Sequence, residues 1–146
     1  MSIYLLKSHG EWIHIAILIG RIFIGVCFMI HAFGKLGWVG PGGSMKGFAG
    51  WLKSLGVPMP KLQAYLAMLS ELVGGAALAL GLLMRPAAIV LFFTMVVAGL
   101  IGHKGGGYLI TNNPPGAEYT INLAVILMVF FVIGPGRYSL DAILFL

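Results

Sequence analysis

From Ile13 onward the chain is a series of long apolar blocks separated by short polar or glycine-rich stretches. Ile13 to Phe33 is interrupted only by His14, Arg21 and His31 among nonpolar residues, and Leu62 to Leu83 carries Ser70 and Glu71 near its middle. Pro86 to Gly102 has Thr94 as its one polar group, and a fourth block runs from Glu118 to Ile133. An α-helix needs roughly 20 apolar residues to cross a bilayer, whereas the strands of a membrane β-barrel alternate apolar and polar positions. Continuous blocks of this length therefore predict an all-α fold: a four-transmembrane-helix bundle in a single domain, 1–146, with helices at about 13–33, 62–83, 86–103 and 118–134.

The intervening stretches predict the connections. Gly34 to Gly50 is too rich in glycine to remain regularly helical, but Met45 to Leu55 then places Phe48, Trp51, Leu52 and Leu55 at helical spacing, with Lys46 and Lys53 elsewhere on the wheel. That pattern is a short amphipathic helix in the first loop, lying on the lipid interface or packed on the bundle as a lid. Gly74, Gly75 and Ala79 form a small-residue face suited to close helix approach. The minimal turn Met84-Arg85-Pro86 makes the second and third helices antiparallel neighbours, and the uniformly apolar third helix is expected to face lipid. Gly105 to Gly116, with Asn112, Asn113, Pro114 and Pro115, reads as an irregular loop. Gly134-Pro135-Gly136 stops the fourth helix, and Ser139 or Asp141 is placed to cap a short helix in the C-terminal tail.

Composition supports the lipid assignment. Of 146 residues 60% are hydrophobic and 9% charged, against about 25% charged in soluble domains. A soluble secreted or cytosolic enzyme is thereby excluded. The net charge of +5 comes from lysines and arginines scattered singly, not gathered into a stripe, so nucleic acid is not an expected partner. Membrane lipid is, and the basic residues suit anionic headgroups. They divide three against five between the two faces, which leaves orientation open under the positive-inside rule. Cys27 is the single cysteine, so neither an intrachain disulfide nor a dithiol redox pair forms. The first apolar run carries Arg21 and no small-residue cleavage signature, and is expected to be retained as a helix.

Chemistry follows from where the few ionisable groups fall. A charge at the bilayer centre costs roughly 2.5–3.5 kcal/mol on insertion scales, so each intramembrane charge calls for a partner or a role. Counted from the starts of antiparallel helices, Arg21 and Glu71 fall at comparable depth, which predicts an ion pair that serves either function or helix register. His31 and Lys35 end the first helix, His103 and Lys104 end the third, and Glu118 opens the fourth, with Trp38, Tyr108 and Tyr119 nearby. These residues converge on one membrane face. His31, Lys35, Trp38, His103, Tyr108 and Glu118 are the candidate lining of a ligand pocket there, and their donors, carboxylate and aromatic walls suit a quinone without being specific to one. The catalytic residues stay unassigned. No metal is assigned, since His31, His103 and Glu118 lack a paired ligand motif, and no covalently bound cofactor, flavin or nucleotide fingerprint is present.

The run Arg21-Ile22-Phe23-Ile24-Gly25 through His31-Ala32-Phe33-Gly34-Lys35-Leu36, the run Glu71-Leu72-Val73-Gly74-Gly75, and the closing Gly134-Pro135-Gly136-Arg137-Tyr138-Ser139-Leu140-Asp141 together resemble the DoxX family of bacterial membrane proteins. Phe48-Ala49-Gly50-Trp51-Leu52 to Pro58 fits as well, so the resemblance covers about 21–141. It implies a multi-pass protein of the bacterial cytoplasmic (inner) membrane with Arg21, His31, Lys35 and Glu71 at the family's polar positions, in a family linked to quinol oxidase and thiosulfate:quinone systems. The expected function is an accessory subunit of a quinone-linked oxidoreductase or respiratory assembly, not a self-sufficient enzyme, with protein partners or copies of itself around it. A noncatalytic membrane scaffold, chaperone or assembly factor is the alternative.

Overall fold

The computed structural model describes residues 2–145. All of its regular elements are helical: α1 (Ser2–Leu36), α2 (Met45–Ser54), α3 (Pro60–Leu80), α4 (Met84–Val97), α5 (Glu118–Ile133) and α6 (Leu140–Phe145). Three segments are long and apolar enough to cross a membrane, namely Gly10–Leu36, Pro60–Leu80 and Met84–Gly102, and the apolar Glu118–Ile133 is shorter. α1 begins well before the expected Ile13. The amphipathic helix expected in the first loop is α2, capped by Ser44, whose hydroxyl accepts from Gly47 N at 3.0 Å.

Packing starts where glycines let backbones meet. A Cβ added to Gly25 would lie 2.5 Å from the Gly75 carbonyl oxygen and 2.7 Å from Ala79 N, so α1 and α3 touch backbone to backbone at this point. The preceding residue, Gly74, presses on Leu91 of α4. α3 is thus held between α1 and α4, and the small-residue face expected from the sequence is used inside the protein. Ser70 Oγ and Thr94 Oγ1 add a 2.9 Å hydrogen bond between α3 and α4 in the apolar layer.

The core consists of Phe28, Leu78, Met84, Ala88, Leu91, Met95, Leu123, Ala124, Leu127 and Phe130, drawn from α1, α3, α4 and α5. This corrects the reading of the third block as lipid-facing: α4 buries Ala87, Ala88, Leu91 and Met95 between α3 and α5. Uniform apolarity conceals which face is buried, because lipid and core impose the same composition. Ile19, Phe23, Leu66, Val73, Phe93, Leu100, Val129 and Val132 all point outward. In water such a surface would be a liability; in lipid it is ordinary solvent contact.

α4 does not end as an α-helix. Ala98–Gly102 forms a π-helical turn, and the loop after it folds back, with Gly116 N donating to Leu109 O, Ala117 N to Gly107 O and Glu118 N to Tyr108 O at 2.7–2.9 Å. This is the irregular loop expected from its glycines, asparagines and prolines. At the opposite end of the bundle only Gly81 to Leu83 separates α3 from α4, so α1, α3, α4 and α5 alternate in direction.

Candidate functional site

Glu71 is buried on α3 and pairs with Lys35 at the end of α1. The expected Arg21–Glu71 pair does not form. The contact of Gly25 with Gly75 sets the register, placing Arg21 beside Ala79 and Glu71 near the level of Met29, so Arg21 lies eight positions, or about 12 Å along the axis, from its expected partner. Depth counted from the helix starts misjudged this because antiparallel helices start at opposite faces of the membrane, so similar counts from their starts are not similar depths, and the close approach at Gly25 fixes Arg21 opposite Ala79. A buried carboxylate must be partnered, and the long Lys35 side chain reaches back to meet it. Lys35 Nζ also stands 5.2 Å from the centre of the Phe48 ring, a cation–π contact that ties α2 to the pair.

Beside this pair, Tyr119 in the first turn of α5 reaches α1. Its hydroxyl is 2.7 Å from His31 Nε2 and 3.1 Å from Cys27 Sγ, and its ring is tilted at 41° against the His31 ring. Cys27 and His31 are four residues apart and share a helix face, so one phenol bridges both. Gly20 against Phe130 makes a second α1–α5 contact nearer the other end.

A cavity of about 530 Å³ opens under α2, lined by Ile30, His31, Gly34, Lys35, Ser44, Phe48 and Trp51 among others. Phe48 and Trp51 stack at 5.9 Å between ring centres, and Trp51 also packs against Gly102 at the end of the π turn. Among the candidates from the sequence, His31 and Lys35 share this cavity. The other four are elsewhere. Trp38 stacks on Phe33 and is 73% exposed. His103 Nδ1 lies 3.1 Å from Pro115 O, Tyr108 donates to Asn122 Oδ1 at 3.1 Å, and Glu118 accepts from Ile110 N at 3.1 Å. These three side chains hold the returning loop in shape. The sequence places them only on a common membrane face, and sharing a face does not bring side chains into contact. Phe48 and Trp51, on the apolar stripe of α2, line the cavity without being among the sequence candidates, and Cys27 and Tyr119 stand beside it through their contacts with His31.

A separate polar cluster closes the opposite end. Arg21 is buried and donates to Ala79 O at 2.7 Å and to Tyr138 O, clamping the end of α3 to the C-terminal segment. Its Nε is buried with no hydrogen-bond partner among the described residues. Asp141 accepts from Leu83 N at 2.6 Å and Met84 N at 3.0 Å, capping α4, while Ser139 caps α6 by accepting from Ala142 N at 3.1 Å. Glu11 pairs with Arg137 and accepts from the Tyr138 hydroxyl at 2.8 Å. That bond to a carboxylate pushes the Tyr138 phenol above its ordinary value.

Among known proteins, the DoxX family model matches residues 16–104 of this chain. The chain is 30% identical over 133 residues to the inner membrane protein YphA of Escherichia coli (strain K12), an alignment covering 87% of this chain and 89% of that protein. No solved structure matches it.

Proposed function

The chain belongs to the DoxX family and is a multi-pass inner-membrane protein; from that premise we propose that it is a small accessory subunit of a membrane oxidoreductase, binding a quinone ring in the cavity beneath α2. The observation that carries this reading is the placement of His31 and Lys35 together on the wall of a cavity of about 530 Å³, with Phe48 and Trp51 on another wall. That volume lies within the range of about 300–1,000 Å³ usual for small-molecule sites. A quinone needs hydrogen-bond donors at its carbonyl oxygens, apolar contact along its ring faces, and entry from lipid. Lys35 gives one hydrogen to Glu71 and keeps two for a ligand. The electron-accepting cofactor belongs to a partner in this reading, and the shorter helix Glu118–Ile133 completes four crossings with help from the loop folded against its start.

The test is direct binding. Decylubiquinone and a menaquinone analogue are titrated into the full chain in lipid nanodiscs, with His31→Leu and the double variant Lys35→Met, Glu71→Gln as comparisons. Saturable binding, weakened about tenfold in each variant, is expected for the loss of a hydrogen bond to a partly desolvated donor. Absence of saturable binding by the wild-type chain overturns the reading.

An assembly role without a ligand is favoured by a different observation. An apolar groove of about 640 Å³ runs between α4 and α5, from Gly99 and Ala117 to Ile133. With Gly74, Gly75 and Ala79 already used internally, this groove replaces them as the surface for another membrane protein. Native mass spectrometry of the protein released from its own membranes separates the two readings: a stoichiometric protein partner with no quinone supports the second.

A further inference from the structure

We infer that Tyr119 and Cys27 are positioning residues for His31, setting which of its ring nitrogens carries the proton and hence whether it donates or accepts in the cavity under α2. This inference rests on the reading of that cavity as a quinone site. It begins from a count of hydrogens. The Tyr119 hydroxyl has one hydrogen and two neighbours, His31 Nε2 at 2.7 Å and Cys27 Sγ at 3.1 Å. An imidazole nitrogen is a far better acceptor than a thiol sulfur, and it is also the nearer of the two. The phenol therefore donates to Nε2, and the Cys27 S–H donates to the phenol oxygen. An accepting Nε2 carries no hydrogen, so the neutral ring holds its proton on Nδ1.

Nδ1 makes no hydrogen bond among the described residues, and His31 lines the cavity with Lys35. In this arrangement both side chains offer N–H groups to the ligand, which suits a carbonyl oxygen. Lys35 can donate to a hydroxyl oxygen but has no acceptor for its hydrogen, so a quinol hydroxyl that donates here does so to His31. It is met by reversing the chain: Nδ1 accepts from the ligand, Nε2–H donates to the phenol oxygen, and the Tyr119 O–H turns to the Cys27 sulfur. Both arrangements hold the same number of protons on these three residues. The ligand class for which such a reversible chain matters is one whose oxygens alternate between carbonyl and hydroxyl.

The experiment is ¹⁵N magnetic resonance of the histidine-labelled full chain in nanodiscs, with His31 signals identified by their loss in His31→Gln. Wild-type protein is expected to show the Nδ1–H form, Tyr119→Phe to shift toward Nε2–H, and Cys27→Ser to resemble wild type because a hydroxyl replaces the thiol donor. Decylubiquinone should leave the Nδ1–H form in place and decylubiquinol should convert it to Nε2–H. Tyr119→Phe should weaken decylubiquinone binding about fivefold, the worth of one ordinary hydrogen bond. An Nε2–H wild type, or a Tyr119→Phe protein with an unchanged His31 signal, overturns the inference. If the tautomer follows Tyr119 but decylubiquinone does not bind saturably, the positioning role stands and the quinone reading is overturned; if decylubiquinol binds and leaves the Nδ1–H form in place, the reversal of the chain is overturned.

Discussion

Lys35 keeps 17% of its side chain exposed and Glu71 keeps 7%, so the two are not equally costly to leave without a partner. A lysine near a helix end can withdraw its charge to the headgroups along its own stem, whereas a glutamate at mid-helix has no such path. Lys35→Met is therefore expected to destabilise the protein by roughly 3–5 kcal/mol, the range for orphaning a buried charge. Glu71→Gln should cost less than half as much, and the double variant should recover most of the loss. Thermal unfolding in detergent across these three variants checks the order; equal losses for the two single variants would refute the snorkelling account. This residue pair also shows the limit of reading partners by depth, since Arg21 sits on the right helix and is still about two turns from Glu71.

Between elements, a cap supplied from far along the chain and a close helix crossing tie the bundle together. Leu83 enters α4 in the left-handed region, at φ 46°, and has no cap of its own. Asp141, far along the chain, takes the Leu83 and Met84 N–H groups instead and offsets that local cost. Asp141→Ala should lower stability by about 1–2 kcal/mol, as loss of a helix cap does, while Ser139→Ala should fray only α6. Unfolding midpoints together with hydrogen exchange at Met84 to Ala87 distinguish them. At the α1–α3 crossing, Gly75→Val would drive methyl groups into Gly25 O and Phe28 Cβ, which stand 2.7 and 2.9 Å from an added Cβ. Overpacking there is expected to cost about 1–3 kcal/mol or more, whereas Gly50→Ala in α2, where an added Cβ meets nothing within 4 Å, should be neutral. Similar melting points for these two variants would rule out the close crossing.

For the whole molecule, the alternation of α1, α3, α4 and α5 puts the start of α1 and the C-terminal segment at the same end, where Glu11 pairs with Arg137. If all four helices cross, reporter fusions to the two termini report the same side of the membrane, and a fusion in the loop at residue 111 reports the other. Opposite sides for the two termini would reduce the crossings to three, with α5 lying in the interface. The cavity under α2 and the clamp around Arg21 are at different ends of the bundle, so substitutions at Asp141 should leave quinone binding within about twofold of wild type, as independent distant sites do.

The solvent, the helical class and the positions of α2, α3 and α5 follow from the sequence, because hydrophobic periodicity and breaker residues act over a few neighbouring positions. The concentration of polar groups toward one membrane face followed for the same reason, and it includes His31 and Lys35, which line one cavity. Partnership does not follow in this way. Whether Asp141 caps its own helix or α4 depends on how the C-terminal segment folds back, whether His103, Tyr108 and Glu118 face a cavity or a loop depends on the path of residues 103–117, and which side chain meets Glu71 depends on the register of α1 against α3. That register is set at one close approach, Gly25 on Gly75, and a shift of one turn there would exchange every polar contact along the interface. Apolar blocks are tolerant of such shifts because lipid and core reward the same residues, so only the packed tertiary structure decides among them.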